Sequence, residues 1–442
     1  MHLWVNQHRR DQRLPRVTKG QGCEVFDETG KRYLDGSGGP ALFSLGYSHP
    51  EVNEAISEQM ARIQFGYSTT FTSDAIDALA EMIAEEAGPD LKYTSFVSGG
   101  SEAVETALKV ALQYHAARGD GGRTHFIARR QSWHGYTMGA LSVSGHLARR
   151  RPYENVLMPV TFISPANEYR PPAGVEVEDL TDYLASELEE AILDIGPGRV
   201  AAFIFEPVVG AAGGAVPPPP GYAQRVREIC DRYGVLMIAD EVMCGIGRCG
   251  SWRALALEDG CSPDIMTIAK GLGGGFMPIG ACVYREEIYD AITNLYGTVA
   301  SVHTYSGHTL ACAAGLAVLK IIRRDKLVEK CRSDGLYLKN ALHQRFDQNA
   351  HVGNIRGRGL FLALEIVQDR ENKRPFSPDR KIADRVRAAA LEEGLICYPS
   401  SGSVDGINGD HVLLSPPYIV SRAEMDEMVE QLERALRKLD LH

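Results

Sequence analysis

The sequence predicts an α/β fold: a large domain with a mostly parallel sheet covered by helices, plus a smaller α+β domain. Three observations predict it. From about residue 90 to 270, short apolar runs alternate with amphipathic ones of helical period, the pattern of a parallel sheet wrapped on both faces. Several of those apolar runs stop at one polar or charged residue, and in open parallel sheets the carboxyl ends of the strands form the ligand crevice. The two ends of the chain lack this alternation and read as hairpins and long helices.

Taken in chain order, "GQGCEVFDETGKRYLDG" (20–36) reads as a hairpin turning at Glu28 to Lys31. The run "YTSFV" is the first strand of the alternating region; Ser98 to Ser101 follow it, and "SEAVETALKVALQYHAA" continues as a helix. "RTHFIAR" is the next strand, with Trp133 and His134 shortly beyond its end. "RVAAFIFEP" ends at Glu206, and the proline-rich "GAAGGAVPPPPG" (210–221) is a stiff loop before the helical "GYAQRVREICDRYG". "VLMIADEV" closes on Asp240 and "IMTIAKGLGGG" on Lys270, so the unusual residues fall on one rim. Residues 311–345 and 379–394 carry helical patterns, while "GNIRGRGLFLALEIV" and "HVLLSPPYIV" read as strands of a smaller sheet. The expected division is residues 1–60 joining the small domain, 61–310 as the large domain and 311–442 as the small one.

Composition narrows the function classes. The 442 residues carry a formal charge of −10, and the longest basic run is Arg149 to Arg151, read as a solvated turn before Pro152; the electrostatic footprint of a nucleic-acid binder is missing. Nine scattered cysteines without a C-x-x-C pair argue against a disulfide framework or a structural zinc site and favour a reducing cytoplasm. No run of eighteen apolar residues occurs and the start, "MHLWVNQHRR", does not read as a secretion signal, so a cytoplasmic protein without membrane insertion is expected. His303 and His308 lack a third ligand of matching spacing, and no metal site is expected.

Each rim residue has a bland reading: Lys270 as a solvated strand end, Asp240 as a turn cap, Ser101 as part of an ordinary helix N-cap, Trp133 as half-buried core. Together they suggest more. A lysine amine forms a Schiff base with a carbonyl, and pyridoxal 5'-phosphate supplies an aldehyde; its pyridine nitrogen stays protonated when a carboxylate such as Asp240 faces it. The glycines and Ser101 of "SGGSEAVE" sit where a helix begins and suit a phosphate. Trp133 could stack on one ring face and Val242 touch the other.

These residues lie in segments that resemble the class III, fold type I, pyridoxal-phosphate-dependent aminotransferases over nearly the whole chain, among them "EVFDETGKRYLDG", "SGGSEAVETALK", "SWHGYT", "IADEVMCGIGRCG", "IAKGLGGGFMPIGA", "HTYSGHTLACAAGLAVL" and "LSPPYIV". The resemblance implies Lys270 as the Schiff-base lysine and proton shuttle, Asp240 on the pyridine nitrogen, and Val242 and Trp133 on the ring faces. It further implies Gly100 and Ser101 on the phosphate, His134 and Glu206 near the cofactor, and Thr304 reaching the phosphate of a partner subunit in an obligate homodimer, or a tetramer. Phe43, Tyr67 and Phe71 would line the substrate side. The implied reaction is ping-pong transfer of an amino group from an amine or ω-amino acid to a keto acid such as pyruvate or 2-oxoglutarate. A racemase, an epimerase or a decarboxylating transaminase is the alternative on the same fold. A dinucleotide oxidoreductase fits poorly, since neither glycine-rich stretch has the required spacing, and a cofactor-free binding protein leaves Lys270 and Asp240 without purpose.

The chain departs from the family in one respect. The arginine that ornithine-type relatives carry before their "PPL" motif is replaced by Leu413 in "VLLSPPY", and the loop 396–406, where amine transaminases place a mobile arginine, has none. Arg356, Arg358 and Arg422 remain as possible carboxylate ligands.

Overall fold

The computed structural model describes residues 14–258 and 260–441. The reading of the first ten residues lies outside them. A seven-stranded sheet occupies the centre, in the order Leu91–Val97, Gly280–Arg285, Ile265–Ile268, Leu236–Asp240, Val200–Phe205, His125–Arg129, Val160–Ile163. The last five strands are mutually parallel, and Gly280–Arg285 runs antiparallel to both its neighbours. Every residue of Val200–Phe205, Leu236–Asp240 and Ile265–Ile268 is buried, as expected of strands covered on both faces.

Two strands of this sheet were not anticipated. Val160–Ile163 is an edge strand of only four residues, and Gly280–Arg285 follows a glycine- and proline-rich loop that masks its start. Consecutive strands Leu91–Val97 and His125–Arg129 also lie far apart in the sheet, because four later strands, Gly280–Arg285 among them, are inserted between them.

The N-terminal hairpin forms as expected, Glu24–Asp27 against Arg32–Asp35, with the turn held by Asp27 Oδ1 accepting from Thr29 N and Lys31 N. Leu395–Ile396 pairs in parallel with Arg32–Asp35, tying the hairpin to the C-terminal part of the chain. There, Val352–Arg358, Phe361–Ile366, Asp410–Leu414 and Tyr398–Ser401 form an antiparallel sheet. The helical pattern read over 311–345 is two helices, Thr309–Arg324 and Leu327–Phe346, because Lys326 adopts a left-handed backbone (φ 50°) that no continuous helix admits.

All nine cysteines are buried free thiols. Among the described residues no helix is long and apolar enough to cross a membrane.

Candidate active site

Asp240 ends a central strand whose other residues are apolar, so its carboxylate must find partners at the strand's carboxyl end. It finds four. Oδ1 accepts from Val242 N (3.1 Å) and from Thr267 Oγ1 (3.0 Å) on the neighbouring strand, and Oδ2 lies 2.6 Å from His134 Nδ1, which donates to it. The fourth interaction is through space: its charge favours protonation of Lys270. His134 is itself fixed, its backbone N donating to Ser144 Oγ at 2.8 Å. The other ring nitrogen, Nε2, is buried and has no partner among the described residues.

Lys270 follows directly on the strand Ile265–Ile268 and Ala269, and opens a short 3-10 turn with φ 41°. A left-handed lysine is costly and persists only where its surroundings hold it. Burial pushes its amine to a lower pKa, while Asp240 and Glu206 pull the other way. Less of the amine is protonated than in a solvated lysine, which favours it as a nucleophile.

Glu206 ends the strand Val200–Phe205. Its two oxygens accept from Trp133 N (2.9 Å) and Gly210 N (2.8 Å), so one carboxylate ties the loop holding Trp133 to the loop that begins the proline-rich stretch. Burial raises its pKa, against the attraction of His134. Trp133 leans on Val209, Ala212 and Val216, and Tyr136 meets its edge at 4.5 Å.

The helix Gly100–Ala117 begins at Gly99 without a side-chain cap, which overturns the N-cap reading of Ser101. Ser101 Oγ instead accepts from Tyr136 N (3.0 Å), and Gly135 is obligatory there: its φ is 138°, and a Cβ would fall 2.4 Å from Ser101 Oγ. A Cβ on Gly100 would fall 2.7 Å from Val242 Cγ1, so glycine lets Val242 lie against the helix start.

These residues line one cavity of about 410 Å³: Gly100, Ser101, Trp133, His134, Glu206, Asp240, Val242 and Lys270. The set fits pyridoxal phosphate on its own chemistry. An aldehyde would meet the amine, a protonated ring nitrogen the carboxylate, and a phosphate the uncapped helix start with its Ser101 hydroxyl. Reasoning from sequence missed Leu42, Met243 and the segment Phe276 to Ile279, which also line the cavity, and Thr267, a lone hydroxyl in the apolar run "IMTI" that could have marked it.

Other expected residues are not brought to the cavity within one chain. Phe43 packs on Tyr47 (4.3 Å) and behind Gly275, where a Cβ would meet its ring at 2.3 Å; Gly275, not Phe43, faces the cavity. Tyr67 and Phe71 are exposed, and Phe71 borders a different hollow with Thr298 and Ser301. Thr304 is exposed in the loop before the helix Thr309–Arg324. His308 caps that helix by accepting from Ala311 N. The Arg149 to Arg151 turn is not simply solvated. Arg150 donates to the carbonyls of Leu141, Ser142 and Ser144, and the Arg149 guanidinium sits 4.5 Å from the Trp133 ring centroid.

The family model described as aminotransferase class-III matches residues 5–436. The chain belongs to the class III aminotransferases. An uncharacterized aminotransferase of Schizosaccharomyces pombe is 43% identical over 426 residues, covering 96% of this chain and 93% of that protein. The diaminobutyrate–2-oxoglutarate transaminase of Halomonas elongata is 35% identical, covering 96% and 90%. An amine transaminase of an uncultivated Pseudomonas species, solved in its PLP-bound form, superposes with a TM-score of 0.91 at 34% identity, covering 99% of each chain. This aminotransferase is thus a pyridoxal-phosphate enzyme of fold type I that transfers amino groups.

Proposed function

We propose that this aminotransferase takes nitrogen from an amine or ω-amino acid and passes it to a keto acid, pyruvate or 2-oxoglutarate, by a ping-pong route in the cytoplasm. The observation that carries the reading is the Lys270 amine in one cavity with an Asp240 carboxylate that His134 and Thr267 hold in place. The likeness to an amine transaminase and to a diaminobutyrate transaminase supports the donor class.

When bound, pyridoxal phosphate supplies an aldehyde for imine exchange and a cationic ring that accepts the electron pair of the broken C–H bond. Asp240 would hold the proton at the ring nitrogen, and the His134 and Thr267 hydrogen bonds keep the carboxylate aimed. Lys270 Nζ, less protonated because of its burial, would accept the proton from the substrate carbon and deliver it to the former aldehyde carbon on the other side of the nitrogen. Ser101 and the start of the helix Gly100–Ala117 would anchor the phosphate. Trp133 and Val242 would fix the ring plane.

Phe43, Tyr67, Phe71 and Thr304 belong to the same proposal as residues of a site completed by an obligate homodimer, or in a tetramer. Their exposure or distance from the cavity in one chain supports that reading. The partition into residues 1–60, 61–310 and 311–442 is a further part of the proposal, supported by the strands of the central sheet all lying between 91 and 285.

The test is a half-reaction. Amine alone should convert the enzyme's absorbance near the visible edge from the aldehyde to the amine form, and pyruvate or 2-oxoglutarate should reverse it. Lys270→Ala should lose both the band and the turnover. Isomerisation of an amino acid without the spectral conversion would overturn amino transfer in favour of a racemase.

A further inference from the structure

The arginines expected to bind a substrate carboxylate are engaged elsewhere. Arg356 is buried, pairs with Glu365 at 2.6 Å and donates to the Gly213 and Gly214 carbonyls. Arg358 pairs with Glu258, and Arg422, exposed, stacks 4.8 Å over Tyr337. Leu413 is packed in an apolar cluster with Ala41, Met243 and Phe361. A keto acid entering this cavity would need another cation.

Arg149 is half-buried, its guanidinium stacked on Trp133, a wall of the Lys270 cavity. Among the described residues no carboxylate pairs with it. A stacked guanidinium keeps its in-plane N–H groups free, in the fork that matches a carboxylate. Burial lowers the pKa values of Lys270, His146 and His411, and the charge of Arg149 adds to that lowering in each.

Those two histidines supply the second observation. His411 is fully buried with neither ring nitrogen partnered among the described residues, and His146 Nδ1 is likewise unpartnered. Buried polar atoms left bare are costly, so such atoms in a native fold call for a ligand or water in the working state. Burial holds His411 near pKa 3, so it is neutral and offers one N–H and one acceptor. It lies two residues before Leu413 on the same strand and therefore on the same sheet face. Gly214 and Gly402 let their loops close on these rings, since a Cβ would fall 2.6 Å from His411 and 2.9 Å from His146 Nε2.

We propose that Arg149 is the specificity-determining carboxylate ligand of this enzyme, receiving the carboxylate of the keto acid at the Trp133 edge of the cavity, with the buried His411 and His146 as neutral neighbours. This rests on the aminotransferase reading with a keto-acid acceptor. The cation has moved from the strand position of Leu413 to the loop beside Trp133.

The test uses the holoenzyme and its variants Arg149→Gln, Arg149→Lys and, as a control on the exposed neighbour, Arg151→Gln. The amine-form enzyme is mixed with pyruvate or with propanal, which lacks the carboxylate, and the aldehyde form with 1-phenylethylamine. Arg149→Gln should raise the apparent Kd for pyruvate at least about tenfold and leave propanal and phenylethylamine within about twofold. Lysine should restore part of the loss, and Arg151→Gln should match the wild type. An equal loss with all three substrates would reduce Arg149 to a prop for Trp133, and an unchanged pyruvate Kd would overturn the proposal outright. Titration with propionate, an unreactive carboxylate, read by protein fluorescence, is independent of turnover. Saturation in the wild type and its loss in Arg149→Gln support the site even if no amine is transferred; no saturation in the wild type refutes it.

Discussion

At the scale of single residues, burial raises the pKa of two carboxylates, Glu206 at the cavity and Glu241 beside Asp240. Glu241, next to Asp240, points away into the core, where Ala254 N (2.6 Å) and Leu255 N (2.8 Å) donate to it. Two backbone donors do not offset the loss of water, and burial pushes its pKa up from 4.5 to about 7. The unfolded chain loses this proton near 4.5, the folded one near 7. The protonated carboxyl therefore contributes stability below the unfolded value, and that contribution is lost as pH rises through about 7. Thermal melts of the cofactor-free protein from pH 5 to 8 should show the wild type losing ground against Glu241→Gln as pH rises. A difference in Tm that does not change across this window would contradict the assignment. The composition of "IADEV" announces two acids, but not that one serves the cavity and its neighbour the core; only the opposite faces of the chain at the strand's end decide it.

At the scale of elements, the end of the cavity proposed for the phosphate depends on two loops meeting at a helix start. Gly135 sits in the loop after strand His125–Arg129 and presses against Ser101 on the helix Gly100–Ala117. Gly135→Ala combines an unfavourable φ of 138° with a Cβ 2.8 Å from Ser101 Cα, a contact with backbone that cannot rotate away. It should cost about 1–3 kcal/mol and, by displacing Ser101 and Tyr136, weaken pyridoxal phosphate binding more than it lowers the melting temperature of the cofactor-free protein. Equilibrium titration with the cofactor alongside melts without it separates the two; unaltered affinity would show that Ser101 does not touch the phosphate. The strands and helices that bear these loops were legible because apolar period is a local property. The antiparallel strand Gly280–Arg285 was not, since its six residues give no alternation and the glycine- and proline-rich loop before them masks where they start.

At the scale of the whole molecule, one chain builds the cavity proposed for the cofactor, whereas Thr304, Tyr67 and Phe71 stand exposed away from it. The proposed dimer gives a complementation experiment. Lys270→Ala subunits keep Thr304, and Thr304→Val subunits keep Lys270; refolded together, they should regain activity that neither variant has alone at limiting cofactor, because each mixed dimer holds one intact site. No recovery, with mixed dimers demonstrated by mass, would place Thr304 outside the partner's site. The sequence by itself determined the class of fold, the strand-end positions of Glu206, Asp240 and Lys270, and the chemistry their types permit, because hydrophobic period and residue type are written locally. Tertiary structure alone decided that His134 reaches Asp240 across 106 positions, that Thr267 completes the carboxylate's hydrogen bonds, and that an arginine from an apparently solvated turn lies on Trp133. Such pairings depend on the order of strands in the sheet and on where loops close over it, which no run of neighbouring residues encodes.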